Sequence, residues 1–550
     1  MRRHQTALLG LALAALLALA ACGGPPPARQ APAAETPPPQ AAGAPAEPTA
    51  PPLPPTDGTI SVNAAGPGRP IAPRLLGTNV PAWLNTDGLA NETLVRRAAA
   101  AGFSVLRLPG GSWSNEYRWL ACETERADPC AYAARPSDFI ALLKAVGGEA
   151  MWTVSFNETA EEAAALVAFF NGEVNDERPI GVDPRGVDWQ TVGYWARLRA
   201  DTGHPAPVGV RLWEVGNEVY GGRAGMGKDC ADYGWEETWT CDGTEYVMGK
   251  GEGAERRQGF LEFREVMRAV DPSIMVGAVG IPFQREWNNW GNEVIAGAGQ
   301  AMDFYVIHQY AFFDSPRTPE AALAQPHGVW AQIAEDARGA FERHTGGRQV
   351  PIAVTEYNLF SFQDNDTGRL MTRAVNMLHM ADTIGQLATH GFAMANQWNL
   401  ANGVTEEIGN YGMLDAGSLE RYPQYYAFPL WARFGGELLP VSSSFDPARE
   451  LSVYAGRDAE GRVALLVINK APGSRTATIG VEGVGAVTGG MVDVAQAAAL
   501  DALKVTFNGL ADPADDLADA PSAPLDGVSK LFTYTFTPMS LTLLRLDVTQ

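Results

Sequence analysis

The sequence predicts an α/β fold, a TIM (β/α)₈ barrel with a C-terminal antiparallel β-sandwich domain. From about residue 72, short apolar runs alternate with segments of helical pattern, which is typical of βα units and a parallel sheet. From about residue 440 the pattern changes to alternating apolar and polar residues, which is typical of antiparallel strands. Glu218 and Glu356 each follow a short apolar run. In such a barrel, functional side chains lie at the carboxyl ends of the strands.

Eight apolar runs provide the strands of the predicted barrel. A helix capped by Asn91 and stopped by Gly102 follows the first run, and a capping-box helix begins after Thr159 and ends near Gly172. Eight strands over about 360 residues fit a barrel with enlarged loops. The predicted strands are 75–79, 105–108, 151–156, 208–214, 274–279, 304–308, 352–355 and 392–396.

The predicted sandwich follows the barrel. Residues 58–71 contain one earlier strand, Thr59 to Asn63, which we expect to cross over and join the sandwich. The predicted boundaries are 58–71 for these first residues, 72–438 for the barrel and 439–550 for the sandwich. The other predicted sandwich strands are 451–454, 463–468, 532–536 and 541–543.

Residues 1–57 predict export rather than a folded domain. Residues 1–22 combine a short basic region, an apolar stretch too short to span a bilayer, and the ending Leu19-Ala20-Ala21-Cys22. This pattern resembles a bacterial lipoprotein signal in which Cys22 is lipidated; the alternative is an ordinary secretory signal with a chance cysteine. Residues 23–57 are rich in Pro and Ala and predict a disordered linker. We therefore expect a lipid anchor in the bacterial cell envelope, with the folded body outside the cytoplasm.

Composition limits the classes of partner. Lys plus Arg number 41 against 63 Asp plus Glu, and the formal net charge of -22 disfavours nucleic acid and anionic lipid surfaces. The membrane contact we expect is the anchor alone. Beside Cys22, four cysteines remain, and their close spacing in an exported chain predicts two disulfides, Cys122 with Cys130 and Cys230 with Cys241. None has metal-type spacing, so we expect no metal site. The oligomeric state stays open.

Glu218 and Glu356 are the candidate catalytic residues. Two carboxyl groups from two strands of one barrel, facing a cleft, are the minimum equipment for hydrolysing a glycosidic bond. For either residue alone, the alternative is a solvated carboxylate at a strand end. Glu214 is expected either to point into the barrel wall or to make a neighbouring polar contact, and to have no catalytic role. Glu158, after the third strand, either binds substrate or marks the entry to a helix.

The motifs around these residues resemble those of glycoside hydrolase family 51, the retaining α-L-arabinofuranosidases. That family belongs to a large clan of barrel enzymes with catalytic Glu residues after strands four and seven. The resemblance covers roughly residues 59–550 and depends on the combined order and spacing of the motifs. The matched segments are Leu106–Gly111, Glu161–Gly172, Thr202–Pro205, Trp213–Glu218, Ile307–Tyr310 and Thr355–Tyr357.

The resemblance implies that Glu218 is the general acid/base and Glu356 the nucleophile. We expect burial and neighbouring negative charge to raise the pKa of the acid, and nearby donors to keep the nucleophile ionised. From position alone, His308 is alternatively a core histidine, and Arg107 alternatively a structural ion pair. The supporting roles implied by the family are Asn217 binding the hydroxyl next to the reacting carbon, His308 and Tyr310 adjusting and holding the nucleophile, and Arg107 supporting the floor of the site.

Two features depart from the family pattern. The first strand-loop, residues 77–83, lacks the acidic residue with which the family binds arabinose, and the loop at 221–253 is unusually long. Several tryptophans lie near predicted strand ends, where rings stack on sugars. Trp398 and Trp83 are the first choices among them. The segment from Arg107 to Trp113 also resembles barrel endoglucanases of the same clan.

The expected function is an exo-acting α-L-arabinofuranosidase on arabinose-containing polysaccharides or oligosaccharides. It would act by double displacement through a glycosyl-enzyme, with no cofactor. Two alternatives stay open: an endo-acting β-glycanase of the glucanase or xylanase type, and a non-catalytic surface carbohydrate-binding lipoprotein. A pocket wall formed by the loop after strand four favours exo action, and an open groove with a row of tryptophans favours endo action. The presence of both carboxylates argues against a binding protein.

Overall fold

The computed structural model describes residues 55–126, 130–223, 230, 234–403 and 408–549. The predicted signal segment, Cys22 and most of the predicted linker lie outside these residues, so the lipid anchor stays a prediction. Within the described ranges, no helix is both long and apolar enough to cross a membrane.

The strands form three groups along the chain. Before the barrel come β1 (Gly58–Asn63) and β2 (Arg69–Pro70). The barrel strands are β3 (Arg74–Asn79), β4 (Val105–Leu108), β5 (Glu149–Val154), β6 (Leu212–Val215), β7 (Met275–Val279), β8 (Phe304–Phe312), β9 (Ile352–Phe360) and β10 (Met394–Gln397). The later strands are β11 (Ala401–Asn402), β12 (Leu414–Asp415), β13 (Glu437–Leu439), β14 (Val441–Ser443), β15 (Leu451–Arg457), β16 (Val463–Asn469), β17 (Arg475–Glu482), β18 (Ala486–Ala497), β19 (Val505–Phe507), β20 (Ala523–Pro524), β21 (Leu531–Phe536) and β22 (Ser540–Thr549).

Strands β3 to β10 close into a barrel in which every neighbouring pair is parallel. The predicted fold class is confirmed. Their runs are apolar because side chains on both faces are covered, by the barrel interior on one side and by helices on the other. The inner layer of the barrel is filled by Val105, Met151, Leu212, Phe304, Val306, Ala353 and Met394.

Three barrel strands differ from the predicted length by more than one residue. The fourth covers only Leu212–Val215, because residues before it make no ladder. The sixth and seventh extend four and five residues beyond the predicted ends, to Phe312 and Phe360. Past the bulge between Ile307 and His308 they continue to pair, with His308 opposite Glu356 and Phe312 opposite Phe360. This extended pair projects beyond the barrel mouth and carries residues of the site.

The helices lie mainly between barrel strands. The Asn91 side chain accepts from the amides of Thr93 and Leu94, and the helix it caps ends at Gly102, which has a left-handed backbone (φ 76°) as predicted. The Thr159 hydroxyl caps a second helix by accepting from the Glu162 amide. The helices are α1 (Asn85–Leu89), α2 (Glu92–Ala101), α3 (Trp113–Glu116), α4 (Trp119–Thr124), α5 (Pro136–Val146), α6 (Ala160–Asn171), α7 (Val192–Asp201), α8 (Gly243–Met248), α9 (Phe260–Val270), α10 (Glu286–Ala298), α11 (Pro319–Ala324), α12 (Pro326–Thr345), α13 (Ala374–His390) and α14 (Ala427–Ala432).

Two further sheets face each other after the barrel. One has the order β14-β1-β17-β21, and the other the order β19-β18-β22-β16-β15-β13-β2. Pairing is antiparallel except between β1 and β17, which run parallel. Strand β1 therefore joins the sandwich although it precedes the barrel in sequence. A single apolar core lies between the two sheets, with Ile60 and Ile479 from one and Leu465 and Leu544 from the other.

The larger sheet also packs on the barrel. Leu466 and Leu541, on the face opposite the sandwich core, belong to the same apolar cluster as the barrel helices. At this contact the Lys470 ammonium, fully buried, donates to the Asp382 carboxylate of α13 at 2.5 Å. The sandwich thus supports the barrel side that carries β9 and β10.

Candidate active site

Glu218 and Glu356 meet at the carboxyl end of the barrel. Glu218 follows β6 and Glu356 lies within β9. One oxygen of each carboxylate and one ring nitrogen of His308 all lie within 4.8 Å of one another. The Glu218 backbone is left-handed (φ 40°, ψ 39°), a conformation that costs free energy for a residue other than glycine and is found at functional sites. This turn carries the Glu218 side chain back over the barrel mouth.

Arg107 forms the floor beneath these carboxylates. Its fully buried guanidinium donates to Glu356 at 2.9 Å and to both oxygens of Glu214 at 2.6 and 3.1 Å. Burial alone would lower the pKa of Arg107, but the two carboxylates outweigh that effect and raise it. Arg107 is therefore a fixed positive charge below the site. Glu214 makes a polar contact, one of the two arrangements predicted for it.

Both oxygens of Glu356 are held by donors. Arg107 donates to one oxygen, and the Tyr310 hydroxyl donates to the other at 2.7 Å. The pKa of Glu356 is raised, because burial and the negative charge of Glu218 outweigh the positive charges of His308 and Arg107, which act to lower it. The side chain is oriented with little freedom, which suits a group that must attack one atom.

Glu218 has three donors of its own. His308 Nδ1 lies 2.7 Å from one oxygen, the Tyr220 hydroxyl donates to the same oxygen at 3.1 Å, and the Trp235 indole N–H donates to the other. Burial alone would raise the pKa of Glu218. The charge and hydrogen bond of His308, together with the hydrogen bonds from Trp235 and Tyr220, outweigh burial and lower that pKa.

These directions are the reverse of those we expected for an acid and a nucleophile. The reason is the position of His308, which the family resemblance assigned to the nucleophile. Its Nδ1 is 2.7 Å from Glu218 but 3.6 Å from Glu356. The pKa of His308 is raised, because the charges of both carboxylates and the bond to Glu218 outweigh burial. The ionisation of each carboxyl therefore depends on the charge of the imidazole and of the other carboxyl.

Asn217 is oriented by two neighbours. Its side-chain oxygen accepts from Arg107 Nη2 at 2.7 Å, and its Nδ2 donates to Glu236 at 3.0 Å. The sequence singled out the long loop that contains Glu236 but not this residue. Only its place between Cys230 and Cys241, beside Trp235, marked the neighbourhood. Both predicted disulfides, Cys122–Cys130 and Cys230–Cys241, are present.

Aromatic rings flank each carboxylate. On the nucleophile side a chain of ring contacts runs outward from Tyr310, the donor to Glu356; we term it the nucleophile-side aromatic group. Its centroid spacings are 5.5 to 6.5 Å. Gly111 (φ 67°) lies under Trp398, whose ring would be 2.2 Å from an added Cβ. The group comprises Tyr310, Tyr411, Trp398, Trp83, Trp113 and the half-exposed Tyr132.

The acid-side aromatic group surrounds Glu218. Two of its members donate to that carboxylate, and the half-exposed Phe362 lies at its outer edge. Trp239 of the same loop instead stacks on Phe156 and donates to its carbonyl oxygen at 3.1 Å. The group comprises Tyr220, Trp235, Trp287 and Phe362, with centroid spacings of 5.1 to 6.4 Å.

Glu158 lies in a separate charge cluster. Its carboxylate contacts Arg185 at 3.4 Å and Arg118 at 3.9 Å. Burial would raise the pKa of Glu158. A hydrogen bond with the buried Glu162 and the positive charges of the two arginines outweigh burial and lower that pKa. These contacts give the Glu158 side chain structural partners.

The chain has detectable but distant relatives. No family model matches it. An intracellular exo-α-(1→5)-L-arabinofuranosidase from Halalkalibacterium halodurans is 23% identical over 233 residues, which are 40% of this chain and 39% of the relative. The chain therefore spans well under half of the length of that curated relative.

Solved structures extend the likeness over the whole fold. The α-L-arabinofuranosidase of Thermotoga maritima, solved with arabinose, has a TM-score of 0.65 and 19% identity, covering 90% of this chain and all of that one. A family 44 xyloglucanase from Paenibacillus polymyxa has a TM-score of 0.57 and 14% identity, covering 89% and 99%. At these identities the solved structures show that the chain shares their fold.

Proposed function

We propose that this protein is a retaining glycoside hydrolase. The observation that carries the proposal is the meeting of Glu218, Glu356 and His308, whose reactive atoms lie within 4.8 Å of one another. Retaining enzymes hold their two carboxyls about 5–5.5 Å apart, whereas inverting enzymes need about 6.5–9.5 Å to admit a water molecule. The close approach of the oxygens therefore favours a covalent intermediate.

Glu356 would attack the anomeric carbon. Arg107 and Tyr310 hold one oxygen each, so the carboxylate presents a fixed face to the sugar. The bond from the anomeric carbon to the leaving oxygen breaks with its electron pair, and that oxygen takes a proton from Glu218. Asn217 would donate to the hydroxyl beside the reacting carbon. Water, deprotonated by Glu218, then releases the sugar from Glu356 with the original configuration.

The proton for the leaving group would come from the pair of His308 and Glu218. The Thr355 hydroxyl donates to Glu214 at 3.3 Å, so its oxygen accepts from His308 Nε2, which keeps a proton on that nitrogen. The remaining proton lies between His308 Nδ1 and Glu218, 2.7 Å apart. When this proton moves from His308 Nδ1 to Glu218 along the one hydrogen bond, the charged histidine becomes neutral and the ionised Glu218 becomes the protonated acid.

The finer proposal is an exo-acting α-L-arabinofuranosidase that acts on arabinose-containing polysaccharides or oligosaccharides. Both the curated relative and the Thermotoga maritima structure carry the name arabinofuranosidase. In the described loop at 77–83 no acid is present, and Asn79 there donates to the barrel backbone and accepts from Arg107. Arabinose recognition would therefore depend on other side chains than in the family pattern.

A second candidate is an endo-acting β-glycanase. The observation in its favour is that aromatic groups flank both carboxylates, as a chain lying across the site requires. The likeness to the family 44 xyloglucanase fold is compatible with it. A non-catalytic binding protein is disfavoured, because burying two carboxylates costs free energy. A protein that bound sugars only by stacking them on aromatic rings would not need these carboxylates, with their arginine and histidine partners.

One screen distinguishes these proposals. Purified protein is incubated with 4-nitrophenyl α-L-arabinofuranoside, β-D-xyloside and β-D-glucoside, and with linear arabinan and xyloglucan, while products are followed by proton NMR. Exo action on arabinofuranosides with retained configuration is expected. Release of long oligosaccharides from xyloglucan would select the second candidate, inverted product would contradict the retaining mechanism, and inactivity on every substrate would overturn the hydrolase proposal.

A further inference from the structure

Glu236 is a fully buried acid to which the reaction described above gives no role. It lies in the loop closed by the Cys230–Cys241 disulfide, directly after Trp235, the indole donor to Glu218. Its amide donates to the carbonyl oxygen of Gly221 at 3.0 Å, which holds the segment against the chain leaving Glu218. A buried carboxyl is costly unless donors satisfy it, so its partners indicate its purpose.

Three donors converge on the Glu236 carboxylate. The Ser112 hydroxyl and Asn217 Nδ2 donate to one oxygen at 2.6 and 3.0 Å, and Asn115 Nδ2 donates to the other at 2.7 Å. Burial and the charge of Glu218 raise the pKa of Glu236 to about 8, against these donors. The amide nitrogens of Asn217 and Asn115 can only donate, so each Glu236 oxygen accepts from one of them, and a proton on the carboxyl would lie towards the Ser112 hydroxyl, which can accept as well as donate.

The amide of Asn217 can therefore take only one orientation. Arg107 has only donors, so it selects the Asn217 oxygen, at 2.7 Å; Glu236 selects the Asn217 nitrogen. Asn115 fixes the backbone of the same residue, accepting from its amide at 3.1 Å and donating to its carbonyl at 2.8 Å. Among the described residues, Asn217 Nδ2 donates to Glu236 alone, so its second hydrogen would serve a sugar hydroxyl.

We infer that Glu236 is a positioning residue that orients the Asn217 side-chain amide for glycoside hydrolysis. The inference rests on the proposed function and deepens it, since it assigns part of the site to a loop that the family motifs do not include. Glu236 acts through Asn217 and is not expected to touch the substrate.

Glutamine cannot replace Glu236 in this network. The NH₂ of the glutamine would face either Asn115 Nδ2 or Asn217 Nδ2. Two N–H donors would then point at each other with no acceptor between them. Turning the Asn217 amide over would only move the conflict to Arg107. Glu236→Gln therefore changes hydrogen bonding without changing volume, and is the variant of choice.

The test is a double-mutant cycle of Glu236→Gln and Asn217→Ala, measured as kcat and KM on the most reactive aryl glycoside. Glu236→Gln alone should lower kcat/KM roughly 10- to 100-fold, with the loss mainly in kcat, because hydrogen bonds beside the reacting carbon strengthen in the transition state. In the Asn217→Ala background the same change should cost less than about twofold.

The matched control is Glu237→Gln, the next residue, whose exposed carboxylate pairs with Arg223 and which should stay within about twofold of wild type.

Each outcome decides the inference. Losses that multiply independently in the double variant, or a loss in KM alone, would overturn the role of Glu236 while the hydrolase proposal stands. An inactive wild-type protein would overturn the proposed function and this role with it. If circular dichroism shows that Glu236→Gln does not fold, Ser112→Ala replaces it in the cycle, because this variant removes one donor to Glu236. Ser112→Ala should then lower kcat/KM about two- to fivefold, and this loss should disappear in the Asn217→Ala background. A loss that persists in that background overturns the inference.

Discussion

The two halves of the candidate site are built differently. On the nucleophile half, Arg107, Tyr310 and Glu356 all lie on barrel strands, and the ladder between β8 and β9 sets the spacing of Tyr310 and Glu356. On the acid half, Glu218 lies beyond the end of β6 in a left-handed conformation, and Trp235 comes from a loop. The first half is positioned by the main chain, and the second by side-chain hydrogen bonds.

This difference predicts how each half responds to change. A strand in a closed barrel moves little when one side chain is replaced, because its neighbours hold its backbone on both sides. A loop held by a disulfide and a few side-chain bonds shifts more readily. Substitutions that remove reacting groups should therefore have the largest effects, and substitutions in the loop should change the ionisation of the acid.

Glu356→Ala should have the largest effect of any single change. Without the attacking carboxylate no glycosyl-enzyme forms, so kcat should fall on the order of 10⁴-fold or more. Turnover of 4-nitrophenyl glycosides is measured alongside circular dichroism, because the variant is expected to fold. Activity near the wild-type level would remove Glu356 from the mechanism.

Glu218→Ala should have a smaller effect that depends on the leaving group. General acid catalysis contributes typically 10²- to 10⁴-fold, and an activated nitrophenol leaves without it. The loss in kcat/KM, which reports formation of the glycosyl-enzyme, should be large with alkyl or disaccharide substrates and small with nitrophenyl ones. With nitrophenyl substrates kcat should still fall, because water that attacks the glycosyl-enzyme has lost its base. Azide, which can enter the space of the missing carboxylate, should restore turnover. An azide-independent rate would contradict the acid/base role.

Trp235→Phe should have the smallest effect and should appear mainly as a pH change. The indole donates to the ionised carboxylate of Glu218 and so lowers its pKa. Its removal raises that pKa, so the protonated acid persists to higher pH and the alkaline limb of kcat/KM moves to higher pH.

The matched control is Trp239→Phe in the same loop, because that indole donates to the Phe156 carbonyl oxygen rather than to a carboxylate. Its alkaline limb should stay where the wild-type limb lies. A downward or absent movement in Trp235→Phe would show that the loop does not set the ionisation of the acid.

Prediction from the sequence succeeded where the determining interactions are local. Asn91 and Gly102 bound a helix through contacts within a few residues, and each pair of cysteines is close in the chain. The barrel strands were recognisable because both of their faces are apolar. The prediction was less accurate for β8 and β9, whose outer halves exist because they pair with each other.

Local patterns could not identify the partners of the site residues. His308 contacts Glu218 across 90 positions of sequence, and Glu236 contacts Asn115 across 121. Nothing in the residues around Glu236 distinguishes it from the exposed Glu237 that follows. Which of the two is buried depends on how the loop folds over Ser112 and Asn217.

The sequence by itself determined the parallel barrel, the sandwich and the placing of two carboxylates at the carboxyl end of the barrel, because burial patterns, caps and turns act over short stretches of chain. Only the tertiary structure decided that His308 lies within hydrogen-bond distance of Glu218 and that Glu236 accepts from Asn217. Hydrogen bonds between side chains far apart in sequence require atoms to meet within about 3 Å, and that meeting is set by the packing of the whole chain.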